Sequence, residues 1–159
     1  MKTDDYINVD DGADCTDDET FIQSAQFLID CGVDVDLYDG MALINACGRD
    51  GNLEFVKLLL DNDADVNICN GKPLYTASIA NNMEAVELLL KHGADVSLDN
   101  YKAIKWACTY GYNDIVQLLL YNATGYWADD DSDYDKIKKA SKNYNLVEFI
   151  NNLKEQMVA

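Results

Sequence analysis

The sequence predicts an all-α solenoid built from short two-helix units. Leucine triplets stand at Leu58-Leu59-Leu60, Leu88-Leu89-Leu90 and Leu118-Leu119-Leu120, at a fixed spacing of thirty. The residues around them repeat in the same register, as ALINACGRDGNLEFVKLLLDNDADVN (42–67), KPLYTASIANNMEAVELLLKHGADVS (72–97) and KAIKWACTYGYNDIVQLLLYNATGYW (102–127). Within each copy the apolar residues fall at helical rather than alternating spacing. A fixed period in the range of roughly 20–50 residues means stacked units that share one continuous core.

Each copy divides into two helical patterns. In the first copy Leu43 to about Asp50 forms one helix, Gly51-Asn52 a turn, and Leu53 to about Asp61 the second helix. Phe55, Val56, Leu58 and Leu59 share a side of that second helix, as do Ala85, Val86, Leu88 and Leu89, then Ile115, Val116, Leu118 and Leu119. The first helices turn small residues inward at Cys47-Gly48, Ala77-Ser78 and Ala107-Cys108, so neighbouring units can approach closely. Ile44, Leu74 and Ile104 fill the space beside them.

Gly51 and Gly111 mark the turn between paired helices. The middle copy has Asn81 there, the non-glycine type that best tolerates a left-handed backbone. Gly93 reads as a helix-ending residue. The stretch from Ala94 to Lys102 is rich in turn formers and reads as an extended hairpin or loop. Such units cannot bury their own apolar faces, so an interior leucine such as Leu88 should be costly to truncate.

The ends are imperfect copies. Phe21 to Cys31, followed by Gly32-Val33-Asp34-Val35-Asp36, matches the second half of a unit, with Phe27, Leu28 and Ile29 at the triplet. A first helix for it falls within Asp10–Thr20, among many acids. Downstream, Ile137 and Ala140 mark one helix, Asn143-Tyr144-Asn145 a turn, and Leu146, Phe149, Ile150, Leu153 and Met157 a last stripe. The chain is thus a single domain over 1–159, with an N-terminal half repeat or cap at 16–39, repeats at 40–69, 70–99 and 100–129, and a closing unit at 130–159.

Composition narrows the function. Twelve basic residues against 29 acidic give a formal charge of -17. Nucleic acids and anionic membrane surfaces are disfavoured partners, since both are held by positive charge. No stretch approaches the roughly 18 continuous apolar residues of a membrane helix. The acidic opening MKTDDYINVDDGADC does not read as a signal peptide. Five cysteines without a CxxC pair argue against a disulfide framework or zinc knot, so a reducing compartment, cytoplasm or nucleus, is expected.

No residue set points to catalysis, a cofactor or a metal. His92, the single histidine, sits at a helix end, where a partly positive side chain is favoured. Cys47 and Cys108 occupy small interior positions, and Cys69 lies in a loop. Asp129, Asp131, Asp133 and Asp135 alternate as in a calcium loop, but that loop lacks the glycine and glutamate such a site needs. An acidic, solvated loop is the better reading.

These residues resemble the ankyrin repeat. Its TPLHxA stretch corresponds to Lys72-Pro73-Leu74-Tyr75-Thr76-Ala77, and its GxxEIVxLLLxxGADVN stretch is similar to residues 51–67 and 81–97. The units here are shorter than the family's period of about 33 residues. In that they look like ankyrin proteins of large DNA viruses of amoebae. The resemblance implies an ankyrin-type α/α solenoid with short loops and no enzymatic activity, acting as a protein–protein interaction scaffold. It also implies a partner held on a concave face formed by loop tips and first helices. Carried over, the partner-binding positions are Met41, Arg49, Asp50, Gly71, Ile79, Ala80, Tyr101, Thr109 and Tyr110, with Ile79 and Tyr110 the most informative pair. The acidic balance points to a basic patch on that partner and to a monomeric protein. A self-associating or structural protein, or a regulatory subunit of a larger complex, is the alternative.

Overall fold

The computed structural model describes residues 18–48, 53–125, 131–142 and 146–158. These residues form α1 (Asp18–Asp30), α2 (Leu37–Cys47), α3 (Leu53–Asp61), α4 (Ile68–Ile79), α5 (Met83–Lys91), α6 (Leu98–Tyr110), α7 (Asn113–Thr124), α8 (Asp131–Lys142) and α9 (Leu146–Val158). There is no strand among the described residues.

The helices pack as two layers. α2, α4, α6 and α8 contact one another in sequence as the row of first helices, and α1, α3, α5, α7 and α9 do the same as the row of second helices. Within each unit the pairs α2–α3, α4–α5, α6–α7 and α8–α9 join the rows. Burial follows the repeat. Val56, Leu59, Val86, Leu89, Val116 and Leu119 are at most 3% exposed, while Leu58, Leu88 and Leu118 pack only partly against the core. The middle leucine of each triplet is therefore an interior one, joined by Leu60 and Leu120 in the outer copies, and Leu89 rather than Leu88 is the interior position. Ile44, Leu74 and Ile104 are buried between the layers, and a Cβ on Gly48 would meet Thr76 Cγ2 of the next first helix at 3.0 Å.

Three of the second helices, α1, α3 and α5, end alike. After α5 the Gly93 N–H donates to the Leu90 carbonyl and the Ala94 N–H to Leu89, with Gly93 left-handed at φ 87°. Asp63 and Ala64 repeat the pattern after α3, as do Gly32 and Val33 after α1. This is the Schellman closure, which satisfies carbonyls that the helix end leaves open. At the turn between paired helices Asn81 takes φ 55° and Gly111 φ 76°, as their residue types predict.

Between units, where an extended hairpin or loop is expected, the chain makes a compact left-handed turn. It comprises Tyr38-Asp39-Gly40, Cys69-Asn70-Gly71 and Asp99-Asn100-Tyr101, all at positive φ. Each closes on a backbone bond across four residues: Gly40 to Asp36, Gly71 to Asn67 and Tyr101 to Ser97. A thirty-residue unit has too few residues to run a hairpin out and back, so the chain reverses in place. Just before the turn, Asp34, Asp65 and Asp95 each accept the backbone N–H two residues on, at 2.8–2.9 Å. The residue two further along then reaches the next unit. The Asp36 carboxylate accepts the Asp65 N–H at 3.1 Å, and the Asn67 side-chain oxygen accepts the Asp95 N–H at 2.8 Å. These bonds give the recurring DVD and DVN texts a physical role: they clip successive loops together.

The ends also differ from the sequence reading. Residues 128–135 are expected to be a loop, yet α8 begins at Asp131. A helical backbone from Asp131 is not that of a calcium loop. Ile137, Ala140, Leu146, Ile150 and Leu153 are buried in the closing unit, and Asn151 and Asn152 are exposed. The expected turns at Gly51-Asn52 and 143–145, and the expected N-terminal first helix up to residue 17, lie outside the described residues.

Candidate partner-binding face

The most distinctive surface lies on the first-helix row, where α4 and α6 run side by side. Trp106 and Tyr110 are four residues apart on α6 and so share one face. Their rings stack with centroids 5.8 Å apart and planes 25° from parallel. Gly111 then caps α6 in a left-handed conformation and turns the chain back. Tyr112 is thereby placed on the other side of Tyr110, with centroids 5.7 Å apart and planes at 22°. Tyr75 of α4 meets Trp106 edge to face at 6.4 Å. The result is a ladder of four rings across two units.

Burial shows how much of the ladder faces water. Tyr110 is 53% exposed and Trp106 37%, while Tyr75 and Tyr112 are half-buried and support the outer rings. Lys102 lies 4.9 Å above the Tyr75 ring and makes a 2.7 Å ion pair with Asp99. That hydrogen bond to Asp99 holds the ammonium above the ordinary lysine pKa. A cation thus already rests on this aromatic surface, the arrangement in which a ring's negative face attracts positive charge.

The predicted surface positions separate into groups. Tyr110 and Thr109 are exposed, and the Thr109 hydroxyl donates to the Lys105 carbonyl at 2.8 Å. Met41 is exposed on α2, and Ile79 and Ala80 are half-buried at the end of α4. Arg49 and Asp50 lie outside the described residues. Gly71 and Tyr101 are buried instead. Both close the left-handed turn, where the third residue points at the following unit: a Cβ on Gly71 would meet Leu98 Cβ at 3.0 Å. Tyr101, 6% exposed at φ 58°, fills the same position with a ring and joins the core.

Sequence reasoning missed Trp106. Its i, i+4 relation to Tyr110 was the available signal, masked because Trp106 stands inside the stretch that resembles TPLHxA. Tyr110 finds its ring partners in Trp106 and Tyr112, both from its own unit.

Other reactive groups are inert or solitary. Burial pushes the thiols of Cys47 and Cys108 up to about 12, far from a nucleophile's range. Cys31 and Cys69 are exposed. Native protein at mildly alkaline pH is expected to react with a thiol reagent at Cys31 and Cys69, sparing Cys47 and Cys108 until it unfolds. Peptide mapping of the labelled sites checks this; early labelling of Cys47 or Cys108 would contradict their burial. His92 is exposed at the end of α5, and among the described residues no group of three His, Cys, Asp or Glu could hold a metal ion.

Comparison with protein families matches residues 43–130, more than half of the chain, to ankyrin repeats in three copies. The chain belongs to the ankyrin-repeat family. Ankyrin-repeat proteins are in general non-catalytic scaffolds that mediate protein–protein interaction. Comparison with curated proteins gives no match. Among the described residues no helix of the ankyrin stack is long and apolar enough to cross a membrane.

Proposed function

We propose that this ankyrin-repeat protein is a non-enzymatic binding module that receives a basic surface of another protein on its first-helix, concave side. The observation that carries the reading is the aromatic ladder in which half-buried Tyr112 backs the exposed rings of Trp106 and Tyr110. Aromatic rings dominate binding hot spots because they bury much area at small entropic cost. Exposed aromatic faces favour flat or cationic groups such as guanidinium, which stack and interact with π faces.

Charge supports the same choice. The protein carries 29 acids against 12 bases, so its field attracts a basic partner and opposes a second acidic copy. Met41, Ile79, Ala80 and Thr109 would form the less specific surroundings of the ladder. The same repulsion favours a monomer. Four free cysteines among the described residues suit a reducing compartment, cytoplasm or nucleus. The short period remains the support for a likeness to ankyrin proteins of large amoebal viruses.

The test is affinity capture from source cells with wild type, Ile79→Asp and Tyr110→Asp. Tyr110→Asp is expected to reduce partner recovery by about tenfold or more, Ile79→Asp by less, and raised salt should weaken wild-type capture. Equal recovery from all three proteins would refute the assignment.

A further inference from the structure

Among the described residues α1 has no first helix of its own. α1 belongs to the second-helix row and packs on α3, with the Phe21 ring 4.9 Å from Phe55. Leu28 holds the place in α1 that Leu59, Leu89 and Leu119 hold in later units. Those three are at most 3% exposed; Leu28 is 52% exposed. Val33, which follows the closure of α1 as Ala64 follows that of α3, is 43% exposed where Ala64 is 8%. Phe27 beside them is 66% exposed, and a shallow groove on α1 is lined by Thr20, Gln23, Ser24, Phe27 and Leu28.

In each later unit a first helix packs against the second. In register, the first helix for α1 would fall on residues 10–16, with Gly12 and Ala13 where unit one has Leu43 and Ile44. That stretch supplies no large apolar side chain for the groove.

Charge selects among the possible occupants. Residues 18–48 contain the acids Asp18, Glu19, Asp30, Asp34, Asp36 and Asp39 and no Lys, Arg or His. Residues 1–17 add six aspartates against Lys2 alone. The chain's own N-terminal segment, or a second copy's α1, would bring like charge to this rim. We propose that the open face of α1 docks an amphipathic helix of another protein, one with Lys and Arg flanking its apolar stripe, in the place of a first helix. Its apolar side chains would cover Phe27, Leu28 and Val33, and its cations would meet the acids around them. This surface is separate from the aromatic ladder and stands or falls independently of it.

The test uses the full chain and a fluorescein-labelled amphipathic helix of Leu and Lys only, about five turns long, with a Leu/Glu helix of the same pattern as control. The Leu/Lys helix is expected to bind saturably and the Leu/Glu helix not at all. Phe27→Asp combined with Leu28→Asp should weaken binding by about tenfold or more, although it adds negative charge. Both residues are exposed, so an unchanged melting midpoint will show that the variant is folded. Tyr121→Ala, at an exposed position on α7 outside both surfaces, should bind as wild type does. Equal binding by the double variant would reduce the effect to bulk charge and overturn the proposal. So would a dimer that the double variant abolishes, or slow amide exchange across residues 1–17 in the free chain, since either names a different occupant.

Discussion

Leu89→Ala is expected to lower the stability of the folded chain by roughly 2–5 kcal/mol, the range for truncating a buried leucine. Leu89 is fully buried, and its helix α5 lies between α3 and α7 with α4 across the layer. Surroundings fixed on three sides can collapse little into the space left behind, which places the variant toward the upper end of that range. Domains are commonly stable by only about 5–15 kcal/mol, so the loss is a large fraction of the whole. Stability in a repeat stack passes through neighbouring contacts, so a weakened middle unit also uncouples the two ends. Urea unfolding is expected to show a lower midpoint and a broadened or split transition. Leu88→Ala, at a half-buried position, should cost clearly less. Equal effects of the two substitutions would contradict the orientation of the triplet.

Gly40→Ala is expected to be the most damaging single-methyl change. Gly40 is left-handed at φ 68°, which costs an L residue about 1–2 kcal/mol. An added Cβ would lie 2.7 Å from Ile68 Cγ2 and 2.8 Å from Ile68 Cδ1, so overpacking adds roughly 1–3 kcal/mol. Gly32 separates the two costs, because it has φ 89° and nothing within 4 Å of an added Cβ. Gly32→Ala should therefore show the backbone cost alone, and the difference between the variants measures the packing between units. Urea midpoints for both checks this. A Gly40→Ala variant no less stable than Gly32→Ala would mean that the units are not in close contact there.

The repeat made most of the stack legible. Register, helix pairing and the apolar stripes follow from position because each unit sees nearly the same neighbours. Legibility failed where a residue's environment depends on the next unit. All three members of a leucine triplet are apolar, and only the position of the helix start decides that Leu89 points inward and Leu88 less so. The left-handed turns carry only a weak local signature, Asp39, Asn70 and Asn100 at their centres, because residue types that tolerate a left-handed backbone are also common in ordinary loops; the short period and the clips from Asp36 and Asn67 favour the conformation. Gly40 and Gly71 hinted that their position is a tight contact. The same position read through family resemblance placed Gly71 and Tyr101 on the binding surface, where the structure buries both. The ladder required Trp106, Tyr110 and the reversal at Gly111 to be considered together, whereas residue-by-residue carry-over selected Tyr110 without its supports.

The central claim is that recognition occurs on the aromatic face of the first-helix row. Site-specific photocrosslinking in source cells tests it most directly, with p-benzoylphenylalanine replacing Tyr110 in one protein and Glu87, exposed on α5 in the second-helix row, in another. The aromatic-face reading expects one discrete crosslinked partner from position 110 and none from position 87. A discrete partner captured from position 87, with none from position 110, would contradict it.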